Sequence, residues 1–150
     1  MKKVFTVLLA LVFLVSLTGC EKAGKYKEGT WSAEVVDPYK NEGNIASAKV
    51  VINKKGNIES VYLDTTYKTS DGTETTKKTL KDDYNMVKYN PSASGEWYVQ
   101  VEKLEKAIVE HNGTDFITLK DDSTTDTVSG VTIKIDALVN AVNTALEEAK

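Results

Sequence analysis

Within residues 29–67 three runs carry strand patterns, two of them alternating apolar and polar side chains in the manner of half-buried strands. Gly29-Thr30-Trp31-Ser32-Ala33-Glu34-Val35 puts every second side chain on one face, Ile45 to Ile52 is β-branched and apolar, and Ile58 to Tyr67 alternates around Val61 and Leu63. Between the second and third runs stands Asn53-Lys54-Lys55-Gly56-Asn57, a hairpin turn with glycine where a positive φ costs least. The three runs predict adjacent antiparallel strands. Thr75 to Tyr84 is charged and predicts a short exposed helix.

From Gly95 the period lengthens. Trp97, Val101, Leu104 and Ile108 share one helical face, while Glu102, Lys103, Glu105 and Lys106 occupy the other. Ser94 or Gly95 is placed to begin this helix, and His111-Asn112-Gly113 to end it, with glycine at the left-handed stop and His111 as a capping or surface residue. Phe116 to Leu119 suits a fourth strand or a buried turn, and Ile135, Leu138, Val142, Ala145 and Leu146 mark a further amphipathic helix. Strands first and helices later predict an α+β fold, an antiparallel sheet with helices packed on it, forming one domain over residues 29–150.

The first residues obey another rule. Met1-Lys2-Lys3 is positive, and Val4 to Leu17 is an apolar run broken only by Thr6 and Ser16. That run is shorter than the roughly 20 residues a spanning helix needs and suits a signal peptide over residues 1–19. Leu17-Thr18-Gly19-Cys20 resembles the lipobox of bacterial lipoproteins. The resemblance implies cleavage before Cys20, diacylation of its thiol and attachment to the extracytoplasmic face of the cell membrane. Residues 20–28 then read as a short polar tether. Val12 to Gly19 is similar to the apolar octapeptides that Gram-positive bacteria release from lipoprotein signals as pheromones.

Composition narrows the chemistry. The 150 residues include one cysteine, one histidine, 19 lysines and no arginine, with a net charge of −3. One cysteine allows no intramolecular disulfide or zinc cluster, and one histidine makes most metal or triad chemistry hard to assemble, so no metal is expected. An acidic chain without arginine has no footprint for nucleic acid. Chemistry, if any, is expected from an imported group.

One segment suggests what that group is. Asp126-Thr127-Val128-Ser129-Gly130-Val131-Thr132-Ile133 brings hydroxyls and a glycine to a helix start, where free N–H groups and the helix dipole favour an anionic phosphate. The same residues also suit a plain N-cap by Ser129 or Thr132. Asp126-x-x-Ser129-Gly130-Val131-Thr132 resembles the flavinylation motif of the FMN-binding domain family, with Val131 where alanine is commoner. The resemblance extends over most of residues 26–150, through Tyr26-Lys27-Glu28-Gly29-Thr30-Trp31, the Gly56-Asn57-Ile58 turn and the last helix. Asp82-Asp83-Tyr84-Asn85-Met86 and Gly95-Glu96-Trp97-Tyr98-Val99-Gln100 are similar to the subgroup found in Gram-positive lipoproteins.

That resemblance implies that a separate flavin transferase attaches FMN to the Thr132 hydroxyl through a phosphodiester. Gly130 would let the backbone approach the phosphate, Ser129 would donate to it, and Asp126 would serve recognition or activation and then point away. For the isoalloxazine ring the candidates are Tyr84, Met86 and Trp97, although Trp97 starts the apolar helical face and so suits the core better, and Met86 suits either place. The implied role is an electron carrier between a membrane donor and an outside acceptor, not an enzyme with its own substrate. The alternative is a flavin-free lipoprotein that binds a solute or a partner.

Overall fold

The computed structural model describes residues 24–150. The signal peptide, the pheromone-like segment and Cys20 lie outside the described residues. Four strands, β1 (Gly29–Val36), β2 (Ile45–Ile52), β3 (Ile58–Lys68) and β4 (Glu74–Thr76), form an antiparallel meander in the order β1-β2-β3-β4. Two short helices, α1 (Lys77–Leu80) and α2 (Met86–Tyr89), precede two long ones, α3 (Trp97–Glu110) and α4 (Asp136–Glu148). The protein is an α+β domain.

Register explains which face of the sheet is buried. Trp31 faces Val50, Ala33 faces Ala48 and Val35 faces Ala46, so the apolar sets of β1 and β2 share one side. A register shift near Val51 and Ile52 sets Ile52 opposite Ile58 but Val51 opposite Ser60. This bulge lets Ile58 and Val61, three residues apart, both point into the core. Helix α4 packs on β1 and β2, and α3 on β3. The small side chains of Ala46 and Ala48 meet a helix that buries Ala137, Ala141 and Ala145, which permits close layer contact.

The predicted α3 face is buried as expected: Trp97, Val101, Leu104 and Ile108 are all in the core. Its start differs from expectation. Glu96 is the N-cap residue, and its side chain does not cap α3. The carboxylate instead accepts from the Met86 and Val87 N–H groups at 2.8 and 3.1 Å, at the start of α2. His111 is the C-cap of α3 and stacks on Phe116 with ring centroids 3.9 Å apart.

Three further expectations change. Phe116 to Leu119 does not form the fourth strand; Leu119 makes one isolated bridge to Thr125, and β4 supplies the fourth strand. The segment expected as an exposed helix buries its first helical residue, Lys77, because α1 folds back against β3. Residues 24–28, expected as tether, are docked: Gly24 N–H donates to Lys55 O at 2.6 Å, Tyr26 N–H to Gly56 O at 3.2 Å and Lys27 N–H to Ala149 O at 2.7 Å. Tyr26 is buried as a member of the core cluster, so this segment belongs to the domain. Among the described residues no helix is long and apolar enough to cross a membrane.

Candidate functional site

The segment from Thr125 to Ile135 crosses the start of α3 before α4 begins. Its inward residues are Val128, Val131, Ile133 and Ile135, all buried, and its outward residues include Ser129 and Thr132. Val131 therefore contributes core packing. The Val131 N–H closes a turn onto Val128 O at 3.2 Å, with Gly130 at φ +76 in its third position. That backbone angle favours glycine, while the Lys103 side chain that lies against Gly130 is flexible and could move aside for a β-carbon.

Neither Ser129 nor Thr132 caps α4. The N-cap residue is Ile135, without a side-chain cap bond, so the motif loop and the helix start are separated by several residues. The loop is held by α3 instead. Gln100, with no exposed surface, accepts from the Thr132 N–H at 2.7 Å and from the Thr132 hydroxyl at 3.1 Å, while its amide donates to Gly95 O at 2.7 Å. Ser94 Oγ donates to Gly130 O at 2.7 Å. Gln100 thus fixes the backbone and the hydroxyl of Thr132 together, a role that its place among the apolar helix residues did not signal.

Thr132 lies on the wall of a cavity of about 590 Å³, within the usual range for small-molecule sites. Tyr84, Met86 and Trp97 line the same cavity, joined by Tyr67 and Lys77. The Tyr67 and Tyr84 rings meet edge to face at 5.1 Å. Trp97 is both a core residue and a wall residue, so a core position does not exclude it from the cavity. Gly130, Ser129 and Asp126 are not on the wall. Asp126 is exposed and pairs with Lys120 at 2.9 Å, on the outer side of the loop. Asp82, Asp83 and Lys88 are exposed and do not line the cavity.

Lys77 is the residue the sequence reading missed. Its side chain is 7% exposed, its Nζ lies 5.7 Å from the Tyr84 ring centroid and 5.3 Å from that of Trp97, and the nearest carboxylate, Asp37, is 4.0 Å away. Burial pushes the ammonium below its ordinary pKa, and the carboxylates of Asp37, Glu42 and Asp64 only partly oppose this. Burial likewise raises the Tyr84 phenol to about 12, so it stays protonated at neutral pH. A lysine within a charged, hydroxyl-rich segment carries no periodic signal of burial; only the fold of α1 onto β3 places it here.

The arrangement defines a class: an α+β domain with an aromatic-walled cavity, one buried cation, and a threonine hydroxyl held at its edge by a buried glutamine. Searches of family models, curated protein sequences and solved structures find no match to this chain.

Proposed function

We propose that the protein is a lipid-anchored extracytoplasmic flavoprotein that carries FMN covalently on Thr132 and acts as an electron carrier. The observation that carries this reading is the meeting of Thr132 with Tyr84 and Met86, drawn from two distant stretches of sequence, around one cavity. The residues fit the group. Planar, apolar rings suit the walls formed by Tyr67, Tyr84 and Trp97, and Thr132 presents its hydroxyl where attachment would leave the ring within reach of them. Gly130 and the Lys103 ammonium beside it supply a turn without side-chain bulk and a cation close to the attachment residue.

Each residue has a separate task in this reading. Gln100 positions Thr132, and Ser94 steadies the Gly130 carbonyl. Lys77 sets a buried positive charge at the cavity wall, which favours the more electron-rich state of whatever ring occupies it. The flavin, when bound, supplies the redox chemistry. Covalent attachment suits a protein outside the cell, because even nanomolar affinity, about −12 kcal/mol, still permits loss into a dilute exterior. Cys20 would carry the lipid, giving roughly 0.8 kcal/mol per buried methylene to hold the domain at the membrane.

The test is coexpression of the mature protein with a flavin transferase, followed by intact-mass and visible absorption measurements. The expected result is a yellow protein with one flavin-phosphate adduct, abolished in Thr132→Ala and partly retained in Thr132→Ser. An unmodified, colourless wild-type protein in the presence of an active transferase would leave a flavin-free solute- or partner-binding lipoprotein as the better reading.

A further inference from the structure

The cavity and the point where the described chain begins stand at opposite ends of the domain, and the long elements connect them. Helix α4 begins beside the cavity, with Ala137 and Leu138 in its wall, and ends where Ala149 O accepts from Lys27 N–H. Twelve residues at 1.5 Å each separate those ends by about 18 Å. Helix α3 starts at Trp97 in the cavity wall and finishes near Asn112, whose side chain accepts from Ile58 N–H at 2.7 Å in the hairpin that also holds Gly24 and Tyr26. Strands agree: β1 runs from Gly29, next to the docked N-terminal segment, to Val36, followed by Asp37 in the cavity wall, a span of about 23 Å.

Only three residues separate Cys20 from the docked Gly24, four Cα-to-Cα steps with a reach of at most about 14 Å. The opposite end carries a different surface. Val36, Tyr39, Val87 and Tyr89 are exposed apolar side chains around the cavity end, with Tyr89 79% exposed.

We infer that a lipid on Cys20 holds the cavity outward, away from the bilayer, so that a flavin in it receives electrons from a protein partner and not from a quinol within the lipid. This rests on the lipid-anchored flavoprotein reading above. A quinol dissolved in lipid would be separated from the cavity by the length of α4, and electron tunnelling falls exponentially with distance. The donor is therefore a protein domain projecting from the membrane or free in the exterior. Two electrons leave its reduced redox group and, with two protons from solvent, reduce one oxidised isoalloxazine.

The two tryptophans of the chain report the orientation. Trp31 N–H donates to Lys27 O at 3.2 Å, close to the anchored end, while Trp97 is in the cavity wall. Full-length lipidated protein, with and without flavin, is bound to phosphatidylcholine vesicles carrying a nitroxide on the headgroup. Trp97→Phe leaves Trp31 as the emitter, Trp31→Phe leaves Trp97, and circular dichroism checks both folds. The expected result is quenching of Trp31 several-fold stronger than that of Trp97. Equal quenching, the reverse order, or quenching of neither in protein that floats with the vesicles overturns the orientation. Protein that does not float overturns the anchor along with it, while a floating, correctly oriented protein that lacks flavin overturns only the redox reading. In a second arm, flavin-loaded protein on quinol-containing vesicles should stay oxidised until dithionite is added; bleaching by the quinol alone overturns the need for a protein donor.

Discussion

Lys77 and Lys78 are consecutive, yet their surroundings differ in kind. Lys78 Nζ bonds to Glu105, lies 4.0 Å from the Tyr62 ring centroid, and its backbone N–H donates to Asp64 at 3.0 Å. Glu105 also accepts from the Leu63 N–H, so the pair ties α1, α3 and β3 into one closed unit. Lys77 has no such closure. Its nearest carboxylate, Asp37, is 4.0 Å away, Glu42 and Asp64 act on it from further off, and the Tyr84 and Trp97 rings face its Nζ. A fully partnered charge completes packing, whereas a partly partnered one beside a cavity leaves attraction available for an occupant.

The largest effect expected from disturbing this contrast is on the closed side. Glu105→Ala leaves Lys78 without its anion and the Leu63 N–H without its acceptor, and should cost about 3 kcal/mol in urea unfolding. A cost below about 1 kcal/mol would mean that the pair is no more than a surface contact. Burial raises the pKa of Glu105 above the ordinary carboxylate value of 4.5, despite Lys78. Between 4.5 and the folded value the native state holds more protons, so this residue's contribution to stability falls as pH rises through that window.

A smaller effect is expected at the edge of the cavity. Gln100→Ala removes the acceptor for the Thr132 N–H and the donor to Gly95 O, and should cost about 2 kcal/mol. It should also slow flavin attachment in the coexpression test while Thr132 itself remains. Gln100→Glu retains an acceptor for Thr132 but loses the donor, so its attachment yield should lie between wild type and Gln100→Ala. An attachment rate equal to wild type in both variants would separate Gln100 from the positioning of the hydroxyl.

The comparison also separates what the sequence reveals from what only folding assembles. Alternation predicted β1 to β3, and the four-three-four spacing of Trp97, Val101, Leu104 and Ile108 predicted α3, because both patterns arise from one element facing one core. Thr132, Tyr84 and Met86 were legible as candidates, though through resemblance and residue chemistry, not through any signal that they meet. Lys77 and Gln100 were not legible. Each breaks the rule that polar residues lie outside, and each is buried by contacts from distant parts of the chain. The N-cap of α3 failed for a related reason: the Glu96 side chain is engaged by α2, ten residues earlier.

The smallest predicted effect concerns the open side. Lys77→Met keeps most of the aliphatic stem while removing a charge that burial disfavours, and should stabilise the flavin-free protein by about 1 kcal/mol at neutral pH. The sign should depend on pH in a defined way. The folded pKa of Lys77 lies below its ordinary 10.5, so the unfolded chain holds more protons between the two values and the wild-type protein recovers stability as pH rises across that window. The advantage of Lys77→Met should therefore shrink as pH approaches 10.5. Tyr84 acts oppositely: its phenol ionises at about 10 when unfolded and about 12 when folded, so stability falls as pH climbs between those values. Measuring Lys77→Met in a Tyr84→Phe background removes that second trend and isolates the lysine. If the substitution destabilises the protein at neutral pH by more than about 1 kcal/mol, Asp37 and the two rings already satisfy the ammonium, and the contrast with Lys78 is one of geometry alone.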